Sequence, residues 1–287
     1  MHEQLKLTRR GFLKATVRSG IGTMGLSLGS LKWAEAVEPD WIDVNHIRVA
    51  LPRLAPEFHG FRVAHITDIH MDVGMTRRRL EHIVSLVNQE QPDVVAITGD
   101  FVTVAPVECA DELQSILSAL TPRSVGVAVL GNHDHWTNPA LVRQAIRKSG
   151  LIELNNTVHT LRRGKAVLHL AGVDDPSMGV DRLDLVLPRL AEPGAAILLA
   201  HEPDFADRFA QAGRFDLQLS GHSHGGQVRL PGIGPLILPR YGEKYHTGRY
   251  QVGEMTVYTS RGVGTTPPCV RFNCRPEIAM LTLEAAA

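Results

Sequence analysis

The sequence predicts an α/β protein whose first half is a parallel sheet wound with helices, and three observations predict it. Strand-length runs at 61–66, 93–97 and 124–130 are rich in Val, Ile and Ala, the last two almost continuously apolar, as buried parallel strands are. Between them lie stretches of helical period. Each run ends in polar residues, and Asp68, Asp100 and Asn132 fall 32 residues apart, about one βαβ period. Right-handed crossovers bring the C-terminal ends of parallel strands to one sheet edge, so these three side chains become neighbours.

The elements follow in order. Residues 41–49 form an opening strand, and 61–66 a second that ends at Thr67-Asp68-Ile69-His70. Leu80, Ile83, Val84 and Val87 make one apolar face of a helix over 76–89, which Pro92 closes. The strand at 93–97 ends at Thr98-Gly99-Asp100, a helix covers 107–120, and the strand at 124–130 ends at Gly131-Asn132-His133-Asp134. After a helix at 139–148, short strands at 151–154, 157–161 and 167–173 read as antiparallel, and 183–190 as helical. A buried strand at 195–200 ends at His201. A helix at 204–212 then leads to an alternating strand at 215–220, which gives way to Gly221-His222-Ser223-His224-Gly225-Gly226-Gln227. Glycines there let the backbone leave the strand by a tight turn. Strand-like pieces recur at 253–260 and 277–283, and no linker divides residues 40–287.

The first residues differ from the rest. Thr8-Arg9-Arg10-Gly11-Phe12-Leu13-Lys14 precedes a weakly apolar, Gly-rich segment and then Ala34-Glu35-Ala36, the pattern of a twin-arginine export signal over residues 1–36. Arg18 and the glycines leave no unbroken run of the ~20 apolar residues that a membrane span needs. Export through the twin-arginine machinery to the periplasm or cell envelope is the expectation, with membrane association through an uncleaved signal or a lipid substrate. Residues 1–36 hold six of the 30 basic and two of the 30 acidic residues, which leaves 24 basic and 28 acidic over 37–287. A net charge of 4 negative on that remainder is no nucleic-acid footprint. Cys109, Cys269 and Cys274 make no disulfide framework; Cys269 and Cys274 pair or stay free thiols.

Collected from the strand ends, Asp68, His70, Asp100, Asn132, His133, His201, His222 and His224 are a mixed set of carboxylate, amide and imidazole groups. Such a set suits manganese, zinc or iron(II) more than calcium, and eight groups are too many for one tetrahedral ion. Two ions ~3.5–4 Å apart would use them, supply a hydroxide nucleophile at neutral pH and clamp a phosphoryl group for in-line attack. With solvent as the nucleophile, no serine or cysteine need be covalently modified.

Asp68-x-His70, Gly99-Asp100, Gly131-Asn132-His133-Asp134, His201 and Gly221-His222-x-His224 resemble, in order and spacing, the five blocks of calcineurin-like metallophosphoesterases. The resemblance covers 61–283. Ala171-Gly172-Val173-Asp174-Asp175-Pro176, Gly225-Gly226-Gln227, Arg261-Gly262-Val263-Gly264 and the stretch from Arg271 to Ile278 resemble the exported bacterial, YkuE-like phosphodiesterase branch. It implies a four-layer α/β/β/α sandwich of two mixed sheets over 37–287, with a dinuclear site at the C-terminal strand edge. It further implies Asp68, His70 and His224 at one ion, Asn132, His201 and His222 at the other, Asp100 bridging, and His133 as the catalytic acid at the leaving oxygen. The implied reaction is hydrolysis of a phosphodiester or pyrophosphate bond, on an envelope lipid or nucleotide-sugar lipid such as UDP-diacylglucosamine. A phosphomonoesterase and a non-catalytic metal-binding envelope protein are the competing readings. Where many relatives carry an Asp that orients the catalytic His, this chain has Thr103, so Asp134, Asp72 or a backbone carbonyl is left to hold His133. Asp72 and Asp134 are expected to steer imidazoles, and His135 and Arg261 to reach substrate.

Overall fold

Alternation of side chains along the strands builds two sheets face to face, because each strand has one apolar face for its partner sheet and another for the helices outside. The computed structural model describes residues 29–286. The twin-arginine stretch and the apolar run as far as Leu28 lie outside the described residues. The strands are β1 (Asp43–Leu51), β2 (Arg62–Ile66), β3 (Val94–Thr98), β4 (Val125–Val129), β5 (Ile152–Glu153), β6 (Thr157–Arg163), β7 (Ala166–Gly172), β8 (Ala195–Leu199), β9 (Leu217–Ser220), β10 (Arg229–Leu230), β11 (Gly234–Pro235), β12 (Gly248–Val252), β13 (Met255–Thr259) and β14 (Glu277–Ala285). The helices are α1 (29–36), α2 (Arg77–Gln89), α3 (Pro106–Leu117), α4 (Asn132–Trp136), α5 (Pro139–Lys148), α6 (Leu183–Val186) and α7 (Ala206–Ala210).

One sheet runs β1-β14-β2-β3-β4-β5 and the other β12-β13-β9-β8-β7-β6, with β10 and β11 a separate hairpin. Both sheets are mixed. In the first only the β14–β2 pair is antiparallel; in the second, the two edge pairs β12–β13 and β6–β7 are. Val63, Ala96 and Val127 of one sheet meet Leu170, Ile197 and Leu219 of the other in the middle layer. Their neighbours Ala64, Ile97 and Ala128 face outward to α2, α3 and α5 through Leu80, Ile83, Leu113 and Ile146. Ala196, Leu198 and Val257 face Val186 of α6 and Phe209 of α7. This is the α/β/β/α sandwich.

Local signals account for most helix bounds. The Thr76 hydroxyl accepts from the Arg79 N–H at the start of α2, and the Asn138 side chain accepts from the Leu141 N–H at α5, whose first residue is Pro139. The expected antiparallel placement of 151–154 is corrected. β5 lies parallel to β4, because the intervening α5 carries the chain back along the sheet as a crossover helix does. The helix expected over 204–212 is a 3-10 turn at Pro203–Phe205 followed by α7, ending where Gly213 adopts φ +61°. Cys269 and Cys274 are free thiols.

Arg271 staples the loops behind the site. It is wholly buried, and its guanidinium donates to the carbonyls of Arg261, Gly262, Gly264 and Cys274 at 2.7–3.2 Å. Truncation strands several buried acceptors at once. Arg271→Met is therefore expected to lower unfolding stability by roughly 3 kcal/mol, read as a fall in the urea midpoint with unchanged slope.

Candidate metal centre

The C-terminal ends of β2, β3, β4, β8 and β9 meet at one edge of the sandwich, and all seven side chains expected to hold metal stand there. The backbone is bent hard to place them. Asp68, His70, Asp100, His222 and His224 all have φ between 50° and 69°, the left-handed region that costs a non-glycine residue ~1–3 kcal/mol. Five such residues would cost on the order of 10 kcal/mol. The three-layer core offsets this, since each fully buried Leu, Ile or Val contributes ~1.5–3 kcal/mol. Close approach also fixes two glycines. A Cβ on Gly131 would lie 2.4 Å from Asp100 Oδ1, and one on Gly221 2.1 Å from Thr67 Oγ1.

Two groups of donor atoms result, Asp68 with His70 and His224, and Asp100 with His201 and His222, each gathered within 4.8 Å. In the first, the Nε2 atoms of His70 and His224 are 3.1 Å apart, and His224 Nε2 is 3.3 Å from Asp68 Oδ1. In the second, His222 Nδ1 is 3.0 Å from Asn132 Oδ1 and 3.3 Å from His201 Nε2. Asp100 Oδ2 stands between the groups, 3.1 Å from His201 Nε2 and 3.7 Å from His70 Nε2.

Hydrogen bonds on the far side of the rings fix which nitrogen points inward. His201 Nδ1–H donates to the Thr98 carbonyl at 2.6 Å and His222 Nε2–H to the Arg240 carbonyl at 2.9 Å, so His201 Nε2 and His222 Nδ1 face the group. His70 Nδ1 is 2.8 Å from the Thr103 hydroxyl. Burial lowers His70 and His222 to about 4, which leaves both rings neutral with a free lone pair near pH 7. Burial raises Asp68 to about 7. Burial also opposes the charge on His201 and Asp100, yet the attraction between the two wins, holding His201 well above and Asp100 well below their ordinary values. Ring nitrogens crowded against one another at 3.1–3.3 Å, and a buried carboxylate near neutrality, are what a cation between them would relieve. The donor set thus fits two divalent ions.

His133 stands apart from both groups, in the wall of a cleft of about 590 Å³ beside Asp100, Asn132 and His222. Its backbone N–H donates to Asp100 Oδ1 at 3.0 Å, and its Nδ1–H donates to the Thr103 carbonyl at 3.3 Å, leaving Nε2 for the cleft. Its ring meets Trp136 and His70 edge-on at 4.7 and 5.1 Å. Residue 103 therefore serves twice, its carbonyl to His133 and its hydroxyl to His70.

The other candidates are placed differently from expectation. Asp134 does not steer an imidazole; its carboxylate accepts from the backbone N–H groups of Asp100, Phe101, Val102 and Gly131. Asp72 likewise binds the N–H groups of Thr103, Val104 and Ala105. Both carboxylates shape the Asp100 loop, whose peptide groups would otherwise be unpaired. His135 turns from the cleft to Asp174 at 2.7 Å, and Arg261 is held by Glu277 and Asp43 at 3.0 and 2.9 Å. Neither side chain faces substrate space, because each has a carboxylate partner behind the site. Sequence reasoning missed the rest of the apolar wall of the cleft, where Met178, Leu236 and Ile237 stand with Trp136, since no spacing marks it.

A four-layer α/β/β/α sandwich with two ligand groups at its strand edge defines a class of metal-dependent hydrolases. The chain belongs to the calcineurin-like phosphoesterase family, whose model matches residues 61–226, and it is a phosphoric ester hydrolase. It is similar to the uncharacterized metallophosphoesterase YkuE of Bacillus subtilis, at 31% identity covering 98% of this chain and 99% of that one. It is also similar to the phosphodiesterase YaeI of Escherichia coli, at 29% identity over 96% and 99%. Among solved structures, a dimetal phosphatase from Danio rerio superposes with a TM-score of 0.47 at 12% identity, over 73% of this chain and 90% of that one.

Proposed function

We propose that the chain hydrolyses a phosphodiester or pyrophosphate bond at a pair of divalent ions, manganese, zinc or iron(II). Asp68, His70 and His224 would hold one ion, Asn132, His201 and His222 the other, with the Asp100 carboxylate between the two groups. When bound, such a pair activates water and stabilises the charge that develops on the phosphoryl oxygens. His133 does the remaining chemistry. With Nδ1–H anchored on the Thr103 carbonyl, it presents Nε2 to the cleft and donates a proton to the leaving oxygen. Thr98 and Arg240 act through their carbonyls, which hold His201 and His222 in the ligating tautomer.

The single observation that carries this reading is His133, fixed at the cleft beside both ligand groups yet a member of neither. A metal-storing protein would have no use for it. The test is cleavage of bis-p-nitrophenyl phosphate against p-nitrophenyl phosphate with manganese, zinc or chelator. Preference for the diester, abolished by chelator, is expected; preference for the monoester makes the chain a phosphomonoesterase, and cleavage of neither under any metal returns it to a binding role.

The similarity to YaeI, whose name is phosphodiesterase, supports the diester. We further infer export by the twin-arginine route, supported by Arg9, Arg10 and the modest apolar run after them, and an envelope substrate with a lipid portion, UDP-diacylglucosamine being one of that kind. The apolar wall opposite the ligands supports a greasy substituent. Thr103→Val removes the hydroxyl behind His70 and keeps the carbonyl behind His133. It is expected to weaken metal retention by ~10-fold or more, measured by chelator competition, while turnover at saturating metal stays within a few-fold.

A further inference from the structure

Several large apolar side chains that this fold leaves in water stand on the loops and the short helix α4 of one edge. Val104 follows β3, Trp136 ends α4 after β4, Met178 follows β7, Ile233 is in the turn of the β10–β11 hairpin after β9, and Leu236 and Ile237 come directly after that hairpin. Ile233 and Ile237 are 74% and 79% exposed and Trp136 62%. The turns at the opposite edge, 149–150, 163–165 and 253–254, carry none of the exposed large apolar residues among the described residues. Singly exposed apolar residues are ordinary; that Trp136, Met178, Leu236 and Ile237 all line one cleft is not.

The chain itself enters at this edge. The Ala34 carbonyl in α1 accepts from the Arg271 N–H at 2.9 Å, and Glu38 Oε1 accepts from the Cys274 N–H at 2.5 Å. Neighbouring Val270 lines the cleft, and the Cys274 thiol donates to the His224 carbonyl at 3.3 Å. Trp33 and Trp41, both exposed, meet edge-on at 5.9 Å beside this point, ring types that favour the boundary between lipid and water. Ahead of residue 29 the sequence supplies 28 more residues, among them Ile21-Gly22-Thr23-Met24-Gly25-Leu26-Ser27-Leu28.

We propose that the edge bearing the ligand groups docks on a lipid bilayer, with the β10–β11 hairpin as its leading element, so that the cleft opens onto the membrane surface. The proposal takes that cleft to be the catalytic one of the preceding section. Four separate loops projecting around an open cleft suit a fluid surface better than a rigid protein face, since lipid fills the gaps between projections. Arg240, exposed on the cleft lip and stacked on Tyr241, has no carboxylate partner among the described residues and suits an anionic headgroup.

The experiment uses the full chain carrying Ile233→Cys or, at the opposite edge, Lys165→Cys, each labelled with an environment-sensitive dye. The labelled unsubstituted chain serves as blank for the native thiols. Added vesicles of phosphatidylcholine with phosphatidylglycerol are expected to shift emission at 233 to the blue and leave 165 unchanged. No shift at 233, or equal shifts at both positions, overturns the proposal. So does a shift at 233 that grows with protein concentration in the absence of vesicles, which assigns the hairpin to a second copy of the chain. Cleavage of bis-p-nitrophenyl phosphate by the same samples reports on the metal centre alone, so failure of the docking and failure of the proposed chemistry are separately visible.

Discussion

Asp100→Ala is expected to lose bound metal and hydrolysis together. The Asp100 carboxylate reaches imidazoles of both ligand sets, with Oδ2 at 3.1 Å from His201 and 3.7 Å from His70. Its other oxygen receives the His133 N–H and so holds the first turn of α4. Removing it takes away the negative charge between two cations and leaves His201 without its counter-ion, an effect of several kcal/mol and on the order of 10³-fold in rate. Asp100→Asn separates the two roles, because the amide oxygen can still accept from His133 while the charge is gone. The variant should keep the native fold by circular dichroism and still lose metal in elemental analysis. Two tightly held ions in either variant would contradict the bridging assignment.

His133→Ala should do the reverse. Metal content should survive, since no ligand group includes His133 and its ring leans on Trp136 and His70 without bonding to either. Turnover should fall ~10²-fold or more, the usual scale for loss of a general acid. The deficit should shrink for a diester whose leaving group needs no proton, such as p-nitrophenolate, and be largest for an alkyl ester. Equal deficits for both leaving groups would remove proton donation from the role of His133 and leave only hydrogen bonding to the phosphoryl oxygens.

Much of this centre is legible in the chain because its residues sit at the ends of regular elements. A short, largely apolar strand followed by Asp or Asn, repeated every 32 positions, states both the layer and the edge. The pairing of β14 between β1 and β2, more than 200 residues away in sequence, is not legible, because one alternating strand suits many neighbours and the choice rests on packing of the whole sheet. Asp72 and Asp134 show the same limit at the site. Carboxylates beside imidazoles read as partners of those rings, yet the nearest unpaired groups are the peptide N–H donors of a left-handed turn, and these claim them first.

By itself the sequence determined the parallel α/β first half and the identity of the side chains at the strand ends, since those follow from period and order along the chain; the two-sheet sandwich was implied only by the resemblance of its five blocks to the family. Only the tertiary structure decided how they face one another. Which ring nitrogen points inward depends on carbonyls of Thr98 and Arg240, which look alike in every sequence, and the apolar rim of the cleft exists only once four unrelated loops meet at one edge. Backbone groups and surfaces assembled from distant segments carry no residue-type signature, and so they become readable only in the fold.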